Sequence, residues 1–317
     1  MLATVPTLKD IVLASQRLKP FVHRTPVLTS GYINDLCESH IYFKCENFQK
    51  VGAFKFRGAL NAVLQLPEEL REKGVATHSS GNHAQALALA ARTLNLKAHI
   101  VMPENATPVK KNAVRDYGAN IYQCKPGLSS REQMLNQVTT ETGAVCIHPY
   151  NNYDVIAGAS TSAYELLKEV GNLDAIIAPV GGGGLLSGTC LSAHCLNEFL
   201  EVFGAEPAGA KDAYLSLQKG EIVPSVDPET IADGLLTSLG DKTFPIIHDH
   251  VQGIILAEDT SIVSAMRMLW ERMKIIIEPS GAISLAALLN EKEYFKNRNV
   301  GVILSGGNVD LARLPFK

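Results

Sequence analysis

No run of the chain approaches the roughly 18 apolar residues that a membrane span requires. The first residues, MLATVPTLKD, lack the basic segment and following apolar stretch of an export signal. The protein is therefore expected in the cytoplasm and away from membranes. An excess of basic charge is also missing. The 29 Lys and Arg residues against 32 Asp and Glu give a net charge of -3, which offers no attractive field for nucleic acid or anionic lipid. The six cysteines, Cys37, Cys45, Cys124, Cys146, Cys190 and Cys195, form no C-x-x-C pair and no cluster with histidine. That excludes a zinc site built on thiolates and reads as reduced packing residues. Internal repeats, low-complexity tracts and obvious linkers are absent as well. A small-molecule partner is what remains.

What is present is a large supply of core. Hydrophobic residues make up 46% of 317 residues and charged ones 19%, and domains settle near about 100–150 residues, so two domains are expected. Apolar runs of strand type recur at 41–45, 74–79, 98–103, 120–124, 144–149, 174–180, 201–206, 253–258 and 300–304. Helical patterns alternate with them: a first helix capped by Thr7 and Asp10 and stopped by Pro20, then 54–66, 82–95, 108–117 (with Gly118 as its left-handed cap), 129–142, 184–199, 260–274 and 279–290. Strand and helix in alternation imply an α/β fold of parallel sheets covered on both faces. Four compact units between about 71 and 150 are expected to form a small domain. The large one is assembled from 1–70 and 151–317.

Three loops carry candidate chemistry. VGGGGLLSG (180–188) puts four glycines between a strand and a helix, where the bare backbone and the helix start can hold a phosphate. It is not a Walker loop. Gly182-x-Gly184-x-x-Ser187, with Glu206 about twenty residues on, nearly fits a dinucleotide fingerprint, so a Rossmann oxidoreductase stays open as an alternative. Lys55, between Phe54 and Phe56 in KVGAFKFRGA (50–59), opens an apolar helix. Burial and the helix start would both lower its pKa and leave a neutral, imine-forming amine. THSSGNHAQA (77–86) gathers two hydroxyls, an amide and an imidazole at a strand-to-helix switch suited to a carboxylate, and SGGNVD (305–310) follows the last strand in the same way.

GAFKFRGA, SSGNHAQA, the tetraglycine loop and SGGNVD occur in the order and approximate spacing found in the serine/threonine dehydratase and serine racemase family, the fold-type II pyridoxal-phosphate enzymes, which the chain resembles over essentially its whole length. The resemblance implies a tryptophan synthase β-like α/β fold, two three-layer domains with the cofactor in the cleft between them. Lys55 would carry pyridoxal 5'-phosphate and act as the catalytic base. Phe54 would lie beside the ring, Asn82 would bond its hydroxyl, and Gly181, Gly182, Gly183, Gly184 and Leu185 would cradle the phosphate. Gly234 would line the cofactor and Ser305 would face the pyridine nitrogen, where a hydroxyl leaves that nitrogen uncharged and suits β-elimination. Ser79, Ser80, Asn82 and His83 would hold the substrate carboxylate, and Ser80 would be the second catalytic group, on the ring face opposite the lysine.

The activity the resemblance implies is dehydration and deamination of serine, threonine or 3-hydroxyaspartate, with serine racemisation as the alternative. Ser80 tilts toward the racemase and hydroxyaspartate dehydratase branch. HPY (148–150) and EPSGA (278–282) look dehydratase-like, and GAST (158–161), where the family usually reads GQGT, is expected near the cleft, where it would bear on substrate choice. Glu206, the Ala210 carbonyl and Asp212 match the family's divalent-cation site, suited to magnesium or calcium. Gln85, Tyr117, Lys274 and Asn308 match part of an adenine-nucleotide effector site. A homodimer is the family's usual assembly.

Overall fold

A computed structural model describes residues 1–316. Among them the strands are β1 (Val27–Leu28), β2 (His40–Cys45), β3 (Val75–His78), β4 (Ala98–Pro103), β5 (Asn120–Cys124), β6 (Val145–Cys146), β7 (Ala175–Pro179), β8 (Glu201–Pro207), β9 (Gly253–Ala257) and β10 (Asn299–Leu304). They form a six-stranded sheet in the order β1-β2-β10-β7-β8-β9 and a four-stranded sheet in the order β5-β4-β3-β6. Every pairing is parallel except that of β1 with β2. The apolar run of β7, AIIAP, is buried throughout, as a central parallel strand covered on both faces must be.

Helices pack on both faces of each sheet. One side of the larger sheet is filled by Ile262, Met266, Ile283 and Leu285, the other by Ile156, Leu166, Leu186 and Ile247. The smaller sheet has Leu60, Val63, Leu87 and Ala91 on one face and Leu135 and Val138 on the other. Each such Leu, Ile or Val contributes about 1.5–3 kcal/mol by leaving water. The first helix, Leu8–Leu18, has its capping box closed on both sides, with the Thr7 N–H donating to Asp10 Oδ2 at 2.9 Å and the Asp10 N–H to Thr7 Oγ1 at 3.4 Å.

All nine expected strands are present, though 144–149 shortens to β6. There the Ile147 N–H still donates to the Ala76 carbonyl, after which Pro149 carries no N–H and the chain leaves the sheet. The two-residue β1 was not anticipated. Six helices were also missed: Gly31–Cys37, Glu68–Arg71, Tyr153–Val170, Asp212–Lys219, Thr243–His250 and Lys292–Phe295. The longest of them, Tyr153–Val170, is buried nearly all round and carries Gly158, Ser160, Thr161 and Ser162, so its period of apolar residues is diluted. Its start was nonetheless signalled, because Asn152 Oδ1 accepts from the N–H groups of Asp154 and Val155. The expected helix 260–274 is α-helical only over Asp259–Met268 and continues as one π turn, Leu269–Met273.

Candidate active site

Parallel pairing brings the carboxyl ends of β2, β10 and β7 to one edge of the larger sheet, and those of β3 and β6 to one edge of the smaller. Ligands of open α/β sheets bind at such edges. Lys55, Gly181 and Ser305 follow the first group of strands; Ser79–Asn82 and His148–Tyr150 follow the second.

The segment before Lys55 is fixed by its backbone. Ala53 bridges to Gly306 and the Phe54 N–H donates to the Ser305 carbonyl at 3.0 Å. Gly52 has a φ of +69°, and a Cβ there would lie 2.7 Å from Asn308 Oδ1, so only glycine permits this approach. Lys55 then begins the Lys55–Leu64 helix. Its Nζ donates to the Pro149 carbonyl at 3.0 Å and lies 5.0 Å from the centre of the Phe54 ring. Burial lowers its pKa to about 8, which makes the neutral amine accessible near physiological pH.

The glycine loop is a cradle that side chains would fill. Gly181–Gly184 are all buried and Gly183 has a φ of +87°. A Cβ on Gly182 would enter the Tyr150 ring, and one on Gly184 would lie 2.9 Å from Tyr150 Cβ. The Gly184–Leu196 helix starts without a side-chain cap, so its first N–H groups remain for an anion. Thr243 holds the loop from below, its hydroxyl donating to the Gly182 carbonyl at 2.8 Å.

At the end of β3, Ser79, Ser80 and Asn82 are half-buried, while His83 is buried with Nε2 3.1 Å from the Ile147 carbonyl and Nδ1 without a partner. Burial and then the Lys55 charge push that imidazole down to about 3. Asn82 Nδ2 donates to Glu278 Oε1 at 2.8 Å, and Asn308 Nδ2 donates to Asn82 Oδ1 at 2.9 Å. Glu278 also accepts from the Asn308 N–H. Burial, followed by the Asp233 charge, pushes its carboxyl up to about 8. The Ser305 hydroxyl donates to the Ser280 carbonyl at 3.3 Å, and Ser280 Oγ in turn accepts from the Gly234 N–H at 3.0 Å. Lys55, Asn82, Ser305 and the segment at Gly234 are thus joined through Glu278, Ser280 and the backbone.

These groups match what a phosphorylated pyridine aldehyde requires: a desolvated amine, an uncapped glycine-lined helix start for the phosphate, and a buried hydroxyl and a half-buried amide between them. The chain matches the family model described as pyridoxal-phosphate dependent enzyme over residues 18–306, and it belongs to that family. Among its relatives, the serine racemase of Dictyostelium discoideum is 52% identical over 99% of this chain and 98% of its own length. The L-threo-3-hydroxyaspartate ammonia-lyase of Saccharomyces cerevisiae is 50% identical over 98% and 95%. A crystal structure of a serine racemase from Dictyostelium discoideum superposes with a TM-score of 0.93 at 53% identity, covering 98% of this chain and 100% of that one. The protein is a pyridoxal-phosphate enzyme of fold-type II, as the resemblance implied.

The oxidoreductase alternative is overturned by this family membership and by Glu206 itself. A ribose-binding acid must face the ligand, whereas Glu206 is 1% exposed and its two oxygens accept from the N–H groups of Ala213 and Tyr214 at 2.7 and 2.8 Å. GAST also needs correction. Ala159, Ser160 and Thr161 are buried between helices: a Cβ on Gly188 would lie 2.7 Å from the Ser160 nitrogen, the Ser160 carbonyl accepts from Ser192 Oγ, and Thr161 Oγ1 accepts from Arg57. The motif shapes the packing of the Tyr153–Val170 helix.

Tyr150, Thr243, Glu278 and Ser280 were not assigned roles from sequence. HPY and EPSGA did mark Tyr150, Glu278 and Ser280 as family motifs; Thr243 lies in an unanticipated helix and had no local signal. Among the described residues no helix is long and apolar enough to cross a membrane, and no group of three or more His, Cys, Asp and Glu could hold a metal.

Proposed function

We propose that the protein removes the α-proton and β-hydroxyl of a small β-hydroxy amino acid, releasing a 2-keto acid and ammonia, and racemises serine as a second activity. The observation that carries this reading is the convergence of the Lys55 amine, the Gly181–Leu185 cradle, the Ser79–His83 loop and Ser305 at adjoining strand ends. The relatives include enzymes named for both activities, a serine racemase and a 3-hydroxyaspartate ammonia-lyase.

Bound here, pyridoxal phosphate supplies a sink for the electron pair left at the substrate α-carbon. Lys55 would hold it and then serve as the base that takes the α-proton. Gly181–Leu185 would bind the phosphate, Phe54 and Gly234 would border the ring, Asn82 would meet its hydroxyl and Ser305 its nitrogen. A neutral hydroxyl partner fits early loss of the β-hydroxyl. The N–H groups and hydroxyls of Ser79, Ser80 and Asn82 would orient the substrate carboxylate. His83 would contribute through its backbone, since its ring is buried against Ile147. Ser80 would move a proton on the opposite face.

The test is release of keto acid and ammonia from serine, threonine and 3-hydroxyaspartate, with chiral analysis of the remaining substrate. Ser80→Ala should abolish racemisation and leave part of the dehydration of the L-substrate. Racemisation undiminished in the variant would transfer the second-face role to another group, and no keto acid from any of the three would sink the reading.

A divalent cation, magnesium or calcium, would be held by Glu206, the Ala210 carbonyl and Asp212. The support is that Asp212 Oδ2 is buried without a hydrogen-bond partner; burial raises both carboxyls, Glu206 to about 8 and Asp212 to about 6. An adenine nucleotide at Gln85, Tyr117, Lys274 and Asn308 would act as effector in a cytoplasmic homodimer. Its support is the Asn308–Asn82 hydrogen bond, which would connect that site to the cofactor loop. The two-domain division at 71–150 follows the four-stranded sheet, whose strands lie between Val75 and Cys146.

A further inference from the structure

Three buried charged side chains, Arg57, Lys44 and Glu46, meet the half-buried Glu165 behind the Lys55 helix. Arg57 is fully buried and spans two carboxylates. Its Nε and Nη2 donate to Glu46 at 2.7 and 2.9 Å, and its Nη1 and Nη2 donate to Glu165 at 2.8 Å each. Lys44, also fully buried, donates to Glu165 Oε2 at 2.8 Å and to the Thr25 carbonyl at 2.8 Å. The hydroxyls of Thr25 and Thr161 complete the shell, Thr25 donating to Glu46 at 2.6 Å and Thr161 accepting from Arg57 at 3.2 Å. Two cations and two anions leave the cluster neutral.

Such clusters are weak evidence for stability, because desolvation consumes most of the attraction and an apolar replacement is often as stable. They do fix geometry. A guanidinium that forks to two carboxylates admits one orientation, whereas an apolar contact would allow the helix to turn. Arg57 lies two residues after Lys55, and in a helix two residues are separated by about 200°, so the two side chains leave the first turn on opposite sides. The elements that grip Arg57 are the β2 end with Glu46, the Tyr153–Val170 helix with Thr161 and Glu165, and the His23–Thr25 segment. On the cleft side, the turn is held by the Ala53–Gly306 bridge, the Phe54–Ser305 backbone bond and the Lys55–Pro149 contact.

We propose that the Arg57–Glu46–Glu165–Lys44 cluster is a positioning device that sets the rotation of the first helical turn and so aims the Lys55 amine into the cleft. Arg57 and Glu165 are positioning residues, since neither touches the reacting groups. This rests on Lys55 being the cofactor lysine.

The experiment measures pyridoxal phosphate affinity by titration, and the rate at which the cofactor becomes borohydride-fixed at Lys55 by peptide mass mapping, in wild type, Arg57→Lys, Glu165→Gln and Thr161→Val. Ile262→Ala, in the core of the larger sheet away from this cluster, is the control for general destabilisation. All are compared well below their melting temperatures. Arg57→Lys keeps the charge and loses the fork, so affinity and attachment rate should fall tenfold or more. Glu165→Gln should fall less, Thr161→Val least, and Ile262→Ala should match wild type. If Arg57→Lys does not fold, the ordering of the other two decides. Equal attachment in wild type, Arg57→Lys and Glu165→Gln, or an equal fall in Ile262→Ala, would overturn the positioning role. Wild type that is never fixed at Lys55 would overturn the underlying reading instead.

Discussion

Gly183→Ala separates a glycine that shapes a phosphate cradle from one that merely turns a helix. Gly183 has a φ of +87°, and a Cβ there would lie 2.7, 2.8 and 2.9 Å from Ile247 Cδ1, Leu239 Cδ2 and Thr243 Cβ. The left-handed backbone costs an alanine about 1–2 kcal/mol, and crowding three packed side chains costs about 1–3 kcal/mol, so roughly 2–5 kcal/mol must be absorbed. If the loop keeps its shape, the whole penalty appears as lost stability, a melting temperature lower by the order of 5–10 °C. If the loop shifts to relieve the contacts, the cradle is lost and affinity falls, tenfold for each 1.4 kcal/mol or so. Thr243 ties its hydroxyl to the Gly182 carbonyl, so movement at 183 is transmitted to 182, and we expect most of the penalty in affinity, about 30-fold or more. Gly220→Ala is the control. Its φ is +70° with no atom within 4 Å of the added Cβ, so it carries the backbone cost alone and should leave affinity unchanged. Titration of the apo forms with pyridoxal phosphate, followed by melting with and without cofactor, gives both quantities. Gly183→Ala with wild-type affinity and the melting loss of Gly220→Ala would refute the cradle argument.

Two further outcomes follow from the geometry. Lys55 has its pKa lowered from 10.5 to about 8 in the folded state, so the unfolded chain binds more protons between those values and apo-protein stability rises with pH there. Lys55→Met should therefore stabilise the apo protein at pH 7, by about 1–3 kcal/mol, and the gain should vanish by pH 10.5; an equal gain at both pH values contradicts the buried-amine account. Magnesium should raise the melting temperature of the wild type, and Asp212→Asn should abolish that rise, as linkage to a cation site demands; a magnesium effect undiminished in the variant removes Asp212 from the site.

Much of this was legible because parallel strands are written as continuous apolar runs: β4, β5 and the helix Pro279–Asn290 stand where their patterns predicted. The chemistry was legible for a different reason. Glycines 181–184 and the SSGNH and SGGN loops have side chains whose types make little sense unless a ligand meets the backbone. What escaped was whatever depends on a distant partner. The Tyr153–Val170 helix is small-residue packing against the Lys55 and Gly184 helices, and only the fold shows that Gly158 must yield to the Arg57 carbonyl, 2.5 Å from where its Cβ would be. GAST read as a cleft motif for the same reason. Glu46, Arg57 and Glu165 are ordinary charged residues in sequence, and their cluster exists only after segments more than 100 residues apart have met.

The central claim is that Lys55 holds the cofactor among these loops. Purified protein, loaded with pyridoxal phosphate and reduced with borohydride, should yield one modified peptide, carrying the cofactor on Lys55, and Lys55→Ala should yield none while still melting as a folded protein. Modification at another lysine, or a protein that stays colourless and unmodified at saturating cofactor, would contradict the account.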